Sequence, residues 1–253
     1  MQLQLLGKSV LVTGSSRGIG RAIAEAFLAE GAEVAFNGRD ADELERVVTS
    51  QSGGKAIAAR GDVGKPDQAR EVVRRVLAAF GRLDVLVCNV GSGRSVPPGQ
   101  ENHDEWLRVF EQNLWSATNM VEASRQALAV NGGAIVCISS ICGQELLVGA
   151  PLTYSAAKAA LNTYVRGISR PLGKYGVRIN AIAPGNILFE GSVWQRKLEE
   201  DATGVEQMLA RDVALSKLGT PLDVANLALF LASPATSFCT GSIFVADGGQ
   251  VHS

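Results

Sequence analysis

Short apolar runs alternate along this chain with longer segments of helix-forming sequence. Each run has three to five residues, the length of a short strand, and the first four contain few polar residues. Strands without alternating polar positions are typical of parallel sheets that helices cover on both faces. The predicted strands are Ser9–Thr13, Glu33–Phe36, Ala56–Ala59, Val85–Cys88, Ala134–Ile138, Ile179–Ile182 and Ile243–Val245.

Helix-length segments connect most of these runs, and two of them begin with a proline in the first turn, where proline is well tolerated. The predicted helices are Gly18–Glu30, Ala41–Ser50, Pro66–Phe80, Asp104–Val130, Thr153–Leu172 and Pro221–Leu231. Pro171 is expected to kink the fifth helix or end it early. No repeat or low-complexity linker divides the 253 residues. We therefore predict an α/β fold: a single Rossmann-type domain over residues 1–253, with a doubly wound, parallel, seven-stranded sheet and helices on both faces.

Charge and hydropathy argue against two classes of partner. The chain has 24 Lys and Arg residues against 25 Asp and Glu residues, so no net field favours nucleic acid or an anionic membrane. The first seven residues lack the basic and apolar regions of a signal peptide, and no apolar stretch is long enough to span a bilayer. We expect a cytoplasmic protein with no nucleic-acid or membrane partner.

Histidine and cysteine usage narrows the chemistry further. Only His103 and His252 are present, so histidine triads and multi-histidine metal sites are not expected. The four cysteines form no CxxC pair and are interpreted as buried thiols. We predict no metal site, and any proton transfer must use another side chain.

A glycine-rich turn, TGSSRGIG at Thr13–Gly20, follows the first predicted strand. Its glycines permit left-handed backbone and let a pyrophosphate approach the N-terminus of the next helix. Glycine in such a turn is weak support alone, because tight strand-to-helix turns need it anyway, but ligands of doubly wound sheets bind at this point. The predicted phosphate contacts are Gly14, Ser16, Arg17, Gly18, Ile19 and Gly20.

The end of the second strand bears on the choice of dinucleotide. An arginine there would accept the 2′-phosphate of NADP, whereas an acidic residue would hold the ribose hydroxyls of NAD. Arg39, together with Arg17, favours NADP(H), and NAD(H) is the alternative. Asp40 is the acidic candidate, but Asp40 and Glu43 also form a capping-box-like start for the next helix.

Polar residues also follow the third and fourth strands. Asp62 and Val63 are placed to meet the adenine, and Asn89 is placed to meet the ribose. The same residue types are common in turns, which is the alternative interpretation.

Tyr154 and Lys158 are four residues apart in a predicted helix, so they share one helical face. A free tyrosine has a pKa near ~10 and needs a neighbouring cation to act at neutral pH, which Lys158 and an oxidised nicotinamide could supply. A unit charge at ~4 Å contributes about 4 kcal/mol, or roughly three pKa units, at an effective dielectric of ~20. Ser140, after the fifth strand, would hold a substrate oxygen beside this tyrosine. Taken alone, this spacing is equally compatible with two side chains on a solvent-exposed face of the helix.

Together these motifs resemble the short-chain dehydrogenase/reductase family over nearly the whole chain. They occur in the family's order: TGSSRGIG, GDV at Gly61–Val63, CNVG at Cys88–Gly91, Asn113, SSICG at Ser139–Gly143, YSAAK at Tyr154–Lys158 and INAIAPG at Ile179–Gly185.

The resemblance implies a catalytic tetrad. It makes Ser140 the donor to the substrate oxygen, Tyr154 the acid/base, Lys158 the ribose ligand that tunes the tyrosine, and Asn113 the anchor of a proton-relay water. Ser140 is preferred to Ser139 because the family's active serine is followed by two residues and a glycine. For Asn113 the alternative is a capped or kinked position in a long helix. Further cofactor contacts are implied for Pro184, Gly185 and Ile187, in addition to Tyr154 and Lys158.

The chain departs from the family pattern at two positions. Val90 replaces the usual alanine beside the nicotinamide ribose, and Phe189 stands where a threonine often bonds the carboxamide, leaving backbone groups of Ile187 for that contact. The segment 186–216 is predicted to be a substrate lid. Trp194 within it either contacts substrate or packs beneath the lid. The predicted substrate contacts are Ser140, Gln144, Tyr154, Phe189 and Trp194.

By this resemblance the chain is expected to interconvert a ketone and a secondary alcohol, first of all by NADPH-dependent reduction of a 3-oxoacyl thioester. The segment from Ala127 to Gly133 lacks the basic residues that such reductases tend to use for carrier-protein docking. An NAD-dependent sugar, polyol, steroid or other secondary-alcohol dehydrogenase is the alternative, and a non-catalytic dinucleotide-binding protein is a further one. A homotetramer or homodimer is expected, also by resemblance.

Overall fold

The strands form one parallel sheet in the order β3-β2-β1-β4-β5-β6-β7. The structure is a computed structural model, and it describes residues 2–52 and 54–252. The strands are β1 Ser9–Val12, β2 Glu33–Phe36, β3 Ala56–Ala58, β4 Val85–Cys88, β5 Ala134–Ile138, β6 Arg178–Pro184 and β7 Ile243–Ala246. All seven predicted strands are confirmed. The strand order reverses between β1 and β4, which is where doubly wound sheets bind ligands.

Helices cover both faces of this sheet. They are α1 Gly18–Ala29, α2 Ala41–Thr49, α3 Pro66–Phe80, α4 His103–Phe110, α5 Ser116–Ala129, α6 Leu152–Gly173, α7 Val193–Asp212 and α8 Pro221–Ala232. Val10 and Val12 of β1 pack in a core cluster with residues of α1 and α8, such as Ile23. Leu11, between them, packs in a second cluster with residues of α3, α5 and α6, such as Leu161. The side chains of neighbouring strand residues therefore pack in cores on opposite faces of the sheet, as the predicted fold requires.

The predicted single helix over Asp104–Val130 is wrong in its middle. A π-helical turn at Glu111–Trp115 separates α4 from α5. Within it, Asn113 donates a side-chain hydrogen bond of 3.0 Å to the carbonyl oxygen of Val109, so a side chain competes with the backbone for that acceptor. Hydrophobic periodicity does not reveal one wide turn inside an otherwise regular helix.

The proline in α6 lies in its last turn. The helix continues past Pro171 and ends at Gly173, two residues later. The predicted end at Leu172 is therefore confirmed to within one residue, whereas the early end expected from Pro171 does not occur.

The lid segment 186–216 contains α7. At its base the amide of Gly219 donates a hydrogen bond of 2.9 Å to the carbonyl oxygen of Asn186. The carbonyl oxygen of Gly219 accepts a hydrogen bond of 2.8 Å from the amide of Leu188. Inside α7 the backbone of Asp201 is not helical, and its carboxylate accepts a hydrogen bond from the amide of Gly204. The lid is thus two short helices joined at Asp201. In the described part of the chain, none of the helices combines the length and the apolar character needed to cross a bilayer.

Candidate active site

The glycine-rich turn joins β1 to α1 with left-handed backbone at Gly14 (φ 60°) and Gly18 (φ 58°). A Cβ at Gly20 would lie 2.4 Å from the carbonyl oxygen of Gly14, so only glycine fits there. The residue before α1, Arg17, makes no side-chain cap. The first N–H groups of α1 therefore remain available to an anion, and the turn suits a dinucleotide pyrophosphate.

Asn37 holds this turn against the neighbouring strands, a role that the sequence analysis missed. Its Oδ1 accepts 3.2 Å from the amide of Gly14, and its Nδ2 donates to the carbonyl oxygens of Ala59 and Gly61 at 2.8 and 3.1 Å. Its own amide donates 2.9 Å to the hydroxyl of Ser15. The available signal was a polar residue directly after the apolar run of β2, at the carboxyl edge of the sheet.

Asn89 fastens the other side of the turn. Its Nδ2 donates to the carbonyl oxygens of Thr13 and Gly14 at 2.9 and 3.0 Å, and its amide donates to the Thr13 hydroxyl at 2.9 Å. The next residue, Val90, packs on the turn, since a Cβ at Gly14 would lie 3.0 Å from its Cγ2. These contacts give Asn89 a structural role in shaping the cradle, and its predicted ribose contact stays a prediction.

Beyond the end of β2, a cleft of about 410 Å³ is lined by residues including Arg39, Arg60 and Asp62. Both arginines are exposed, and Arg60 Nε donates 3.0 Å to the carbonyl oxygen of Arg39. Asp40 accepts 2.9 Å from the amide of Glu43 and so caps α2, which confirms its local role.

The pair after β3 differs in exposure. Asp62 is partly exposed, and its Oδ1 accepts 3.0 Å from the amide of Gly64. Val63 is buried, so its side chain belongs to the core and only its backbone is left for a ligand.

Tyr154 and Lys158 lie on one face of α6, beside Ser140. The Nζ of Lys158 is 5.9 Å from the centre of the Tyr154 ring and donates 2.9 Å to the carbonyl oxygen of Ile138. The Ser140 hydroxyl hydrogen-bonds the tyrosine hydroxyl, which by itself lowers the pKa of Tyr154. The structure therefore brings these three predicted tetrad residues together.

Burial controls the proton affinities of this pair. It raises the pKa of Tyr154 above its ordinary value, and the hydrogen bond from Ser140 only partly offsets this. Burial also lowers the pKa of Lys158 from 10.5 to about 8. Desolvation is therefore the main influence on the pKa of Tyr154 in the protein alone, and the lowering of this pKa by Lys158 together with an oxidised nicotinamide stays a prediction.

The two neighbouring serines have different partners. Ser139 donates 2.6 Å to the buried Oδ1 of Asn162, so its hydroxyl is used within the core. Ser140 caps the short helical turn Ile141–Gly143 by accepting 3.1 Å from the amide of Cys142, and it is the serine beside Tyr154. The geometry agrees with the choice of Ser140 over Ser139.

Asn113 reaches the site from the π-helical turn. Its Oδ1 accepts 2.9 Å from the amide of Ser92, and its Nδ2 donates 3.1 Å to the carbonyl oxygen of the same residue. A Cβ at Gly91 would lie 2.9 Å from Asn113 Oδ1 and 3.0 Å from Lys158 Nζ, so both side chains converge on that glycine. Asn113 therefore occupies an irregular helix position, as its alternative interpretation held, and the relay role stays a prediction.

Phe189 lies at the phosphate end of the site. A Cβ at Gly18 would be 2.6 Å from Cε2 of Phe189, so the ring packs against this glycine of the phosphate turn. Trp194 packs with the lid residues Val205 and Leu209, beneath Lys197, whose Nζ is 4.4 Å from the ring centre. This favours the packing interpretation of Trp194.

The remaining predicted residues lie around the same edge of the sheet. Gln144 accepts 3.3 Å from Nδ2 of Asn162. Pro184 ends β6, and a Cβ at Gly185 would lie 2.7 Å from Cβ of Asp247. Ile187 is buried at the base of the lid. Across residues 2–52 and 54–252, no group of three or more His, Cys, Asp or Glu side chains is arranged to hold a metal ion.

A phosphate turn at the first strand and a Ser–Tyr–Lys cluster beside the same sheet edge define the class of dinucleotide-dependent oxidoreductases. The family model described as enoyl-(acyl carrier protein) reductase matches residues 14–251. The chain belongs to the short-chain dehydrogenase/reductase family.

Three relatives show the breadth of this family. The chain is 34% identical to 3-oxoacyl-(acyl-carrier-protein) reductase of Chlamydia trachomatis, covering 97% of the chain and 98% of the relative. A 7α-hydroxysteroid dehydrogenase solved with NADH and a 7-oxo bile acid superposes with a TM-score of 0.90 at 32% identity, covering 100% and 97%. L-sorbose reductase of Gluconobacter frateurii, solved with NADPH and L-sorbose, gives 0.93 at 29% identity and covers 100% of both chains. The chain is accordingly an NAD(P)-dependent oxidoreductase that interconverts a carbonyl compound and an alcohol.

Proposed function

We propose that this protein reduces a ketone to a secondary alcohol with NADPH, and that Tyr154 donates the proton to the substrate oxygen. The observation that carries the proposal is the Ser140–Tyr154–Lys158 cluster at the carboxyl edge of the sheet. Because burial raises the pKa of Tyr154, the side chain is protonated at neutral pH, the state that a proton donor needs. Tyr154 therefore carries the proton that the reductive direction requires.

Each neighbour of Tyr154 has a separate task. Ser140 donates a hydrogen bond to the substrate oxygen and holds it beside the tyrosine hydroxyl. Lys158, fixed by its bond to Ile138, holds the ribose hydroxyls and places a positive charge below the tyrosine. Asn113 keeps the Ser92 loop in place and anchors the water through which Lys158 exchanges protons with solvent.

NADPH, when bound, supplies the hydride. The phosphate turn, the open N-terminus of α1 and the exposed arginines fit its phosphates. The residues proposed to hold it are Gly14, Ser16, Arg17, Gly18, Ile19, Gly20, Arg39, Asp62, Val63, Asn89, Tyr154, Lys158, Pro184, Gly185 and Ile187. Arg39 and Arg17 supply the preference for NADPH over NADH, because guanidinium groups bind a 2′-phosphate that NADH lacks.

The proposed substrate is a 3-oxoacyl thioester, which is supported by the 34% identity to the Chlamydia trachomatis reductase over almost the whole chain. A sugar or steroid carbonyl is the second candidate, supported by the likeness to L-sorbose reductase and 7α-hydroxysteroid dehydrogenase. Gln144, Phe189 and the lid around Trp194 are the proposed substrate contacts. The single domain over 1–253, its lid at 186–216, a cytoplasmic location and a homotetramer or homodimer belong to the same proposal.

The function is tested by measuring NADPH and NADH oxidation separately with acetoacetyl-CoA, L-sorbose and a 7-oxo bile acid. Tyr154→Phe should reduce turnover by about 10³-fold while NADPH affinity changes little, because Tyr154 is one of many proposed cofactor contacts and the proposed phosphate contacts are unchanged. Tyr175→Phe is the control, because Tyr175 is exposed and lies outside the cluster. Tyr154→Phe protein that keeps most of its activity would contradict the catalytic assignment. An absence of activity with acetoacetyl-CoA would exclude the thioester as substrate. Tight NADPH binding without oxidation of any carbonyl would instead favour a non-catalytic dinucleotide-binding protein.

A further inference from the structure

The segment Asp247–His252, which follows β7 and is called the strap here, is folded around one carboxylate. The Asp247 side chain accepts hydrogen bonds from the amides of Gly249, Gln250 and Val251 at 2.9, 3.0 and 2.8 Å. Three backbone donors on one side chain fix the direction in which the strap leaves the sheet. The strap is therefore an ordered turn of defined course.

One side of the strap packs on the end of the lid. The amide of Leu215 donates 3.0 Å to the carbonyl oxygen of Gly248. A Cβ at Gly248 would lie 3.0 Å from Cγ1 of Val213. A Cβ at Gly249 would lie 2.8 Å from Cβ of Ala214, so the two backbones are in close contact. Movement of the lid end is thus resisted by the strap.

The other end of the strap holds the loop between Gln144 and Pro151. The amide of His252 donates 3.0 Å to Oε1 of Glu145, across 107 positions of sequence. Glu145 follows Gln144, a proposed substrate contact. The same loop exposes Leu146 and Val148, so little of its apolar surface is packed.

We propose that Glu145 is a positioning residue for substrate binding, and that its hydrogen bond to the His252 amide ties the substrate-side loop to the lid through the strap. The inference rests on the proposed function, since it assigns the loop to the substrate side of that site. Breaking the bond frees the loop, so more ordering is required when a carbonyl compound binds. Substrate affinity falls while the Ser140–Tyr154–Lys158 geometry is unchanged.

Four variants isolate this bond. His252→Pro removes the donor, because proline has no amide hydrogen, whereas His252→Ala keeps the amide and changes only the side chain. Glu145→Ala removes the acceptor, whereas Glu145→Gln keeps a side-chain carbonyl oxygen. The measurements are KM and kcat for the carbonyl compound of the panel that wild type reduces fastest, the NADPH dissociation constant by fluorescence titration, and hydrogen–deuterium exchange of residues 146–150.

We expect His252→Pro and Glu145→Ala to raise KM about five-fold, which corresponds to the loss of one hydrogen bond. In both variants kcat and NADPH affinity should stay within two-fold of wild type. Exchange of residues 146–150 should accelerate in the same two variants, and the double variant should exchange no faster than Glu145→Ala alone. Unchanged KM and exchange in both would overturn the proposal, as would equal losses in all four. If wild type reduces no carbonyl, the proposed function fails, and the exchange data alone then decide whether the strap holds the loop.

Discussion

The ammonium group of Lys158 donates a hydrogen bond of 2.9 Å to the carbonyl oxygen of Ile138, the last residue of β5. This bond fixes the lysine beneath Tyr154 in a buried position, where its charge has lost most of its hydration. The arrangement places a cation where the proposed chemistry needs one, and stability is reduced as a result.

The cost of this burial is expected to depend on pH. Burial lowers the pKa of Lys158 from 10.5 to about 8 in the folded protein, so below pH 8 the fold carries a desolvated charge that unfolding would hydrate. Lys158→Met should therefore raise the free energy of unfolding at pH 7 by up to about 3 kcal/mol. Between pH 8 and 10.5 the unfolded state binds more protons, so wild type gains stability and the advantage of the variant shrinks. Urea unfolding at pH 7 and pH 10 measures this, with exposed Lys174→Met as control, and a pH-independent difference would contradict it.

The neighbouring serines should separate catalysis from stability. Ser140→Ala is expected to reduce kcat by about 100-fold, because the lost donor acts on the substrate oxygen, and to lower the free energy of unfolding by about 1 kcal/mol through the lost cap on the Cys142 amide. Ser139→Ala leaves the buried Oδ1 of Asn162 without its 2.6 Å donor and should lower the free energy of unfolding by about 1–3 kcal/mol, with kcat nearly unchanged. Steady-state kinetics and urea unfolding of both variants check this. The reverse pattern would make Ser139 the active serine.

Replacing Arg39 should change the cofactor preference. Arg39→Ala is expected to weaken NADPH binding by about 10- to 100-fold and leave NADH binding within two-fold, because only NADPH has the 2′-phosphate. Arg46→Ala is a matched control on the exposed surface of α2, where its Nε is bonded to the carbonyl oxygen of Asp42. Equal weakening of both dinucleotides by Arg39→Ala would remove this residue from the choice of cofactor.

Replacing glycine by alanine is expected to have opposite effects on stability at two positions. Gly20→Ala places a Cβ 2.4 Å from the Gly14 carbonyl oxygen, and since backbone cannot yield easily, a loss of about 1–3 kcal/mol in unfolding free energy and weaker NADPH binding are expected. Gly167 lies inside α6 with nothing within 4 Å of an added Cβ, so Gly167→Ala should stabilise by up to about 1 kcal/mol. Thermal unfolding with and without NADPH measures both, and a tolerated alanine at position 20 would argue against a tightly packed phosphate turn.

The elements of the fold could be predicted because their signals are local. The apolar runs place all seven strands, and the six predicted helices begin and end close to observed ones, apart from the π-helical turn around Asn113. That turn depends on a side-chain bond to Val109, and the break at Asp201 depends on a bond to Gly204, neither of which alters the hydrophobic period.

Within the site, the shared helical face of Tyr154 and Lys158 could be predicted from their spacing, whereas contacts between distant segments could not. Phe189 packs against Gly18, and Asn37 forms hydrogen bonds with residues that follow β1 and β3. No local sequence pattern encodes either contact. The rise in the pKa of Tyr154 on burial could not be predicted for a related reason: desolvation depends on everything that surrounds a group, and the sequence shows only its neighbours along one helix.

The position of β1 inside the sheet, between β2 and β4, has a consequence for biosynthesis. Val10 pairs with Val85, and the amide of Asn89 donates a hydrogen bond to Thr13 at the start of the phosphate turn. The contacts of β1 are therefore completed only when residues about 75 positions further along the chain have been synthesised. A nascent chain that ends before Cys88 holds β1 against β2 alone and lacks the clamp on its phosphate turn. Dinucleotide in the cell can therefore act as a folding ligand only after the fourth strand has left the ribosome, and the first third of the chain must avoid aggregation without it.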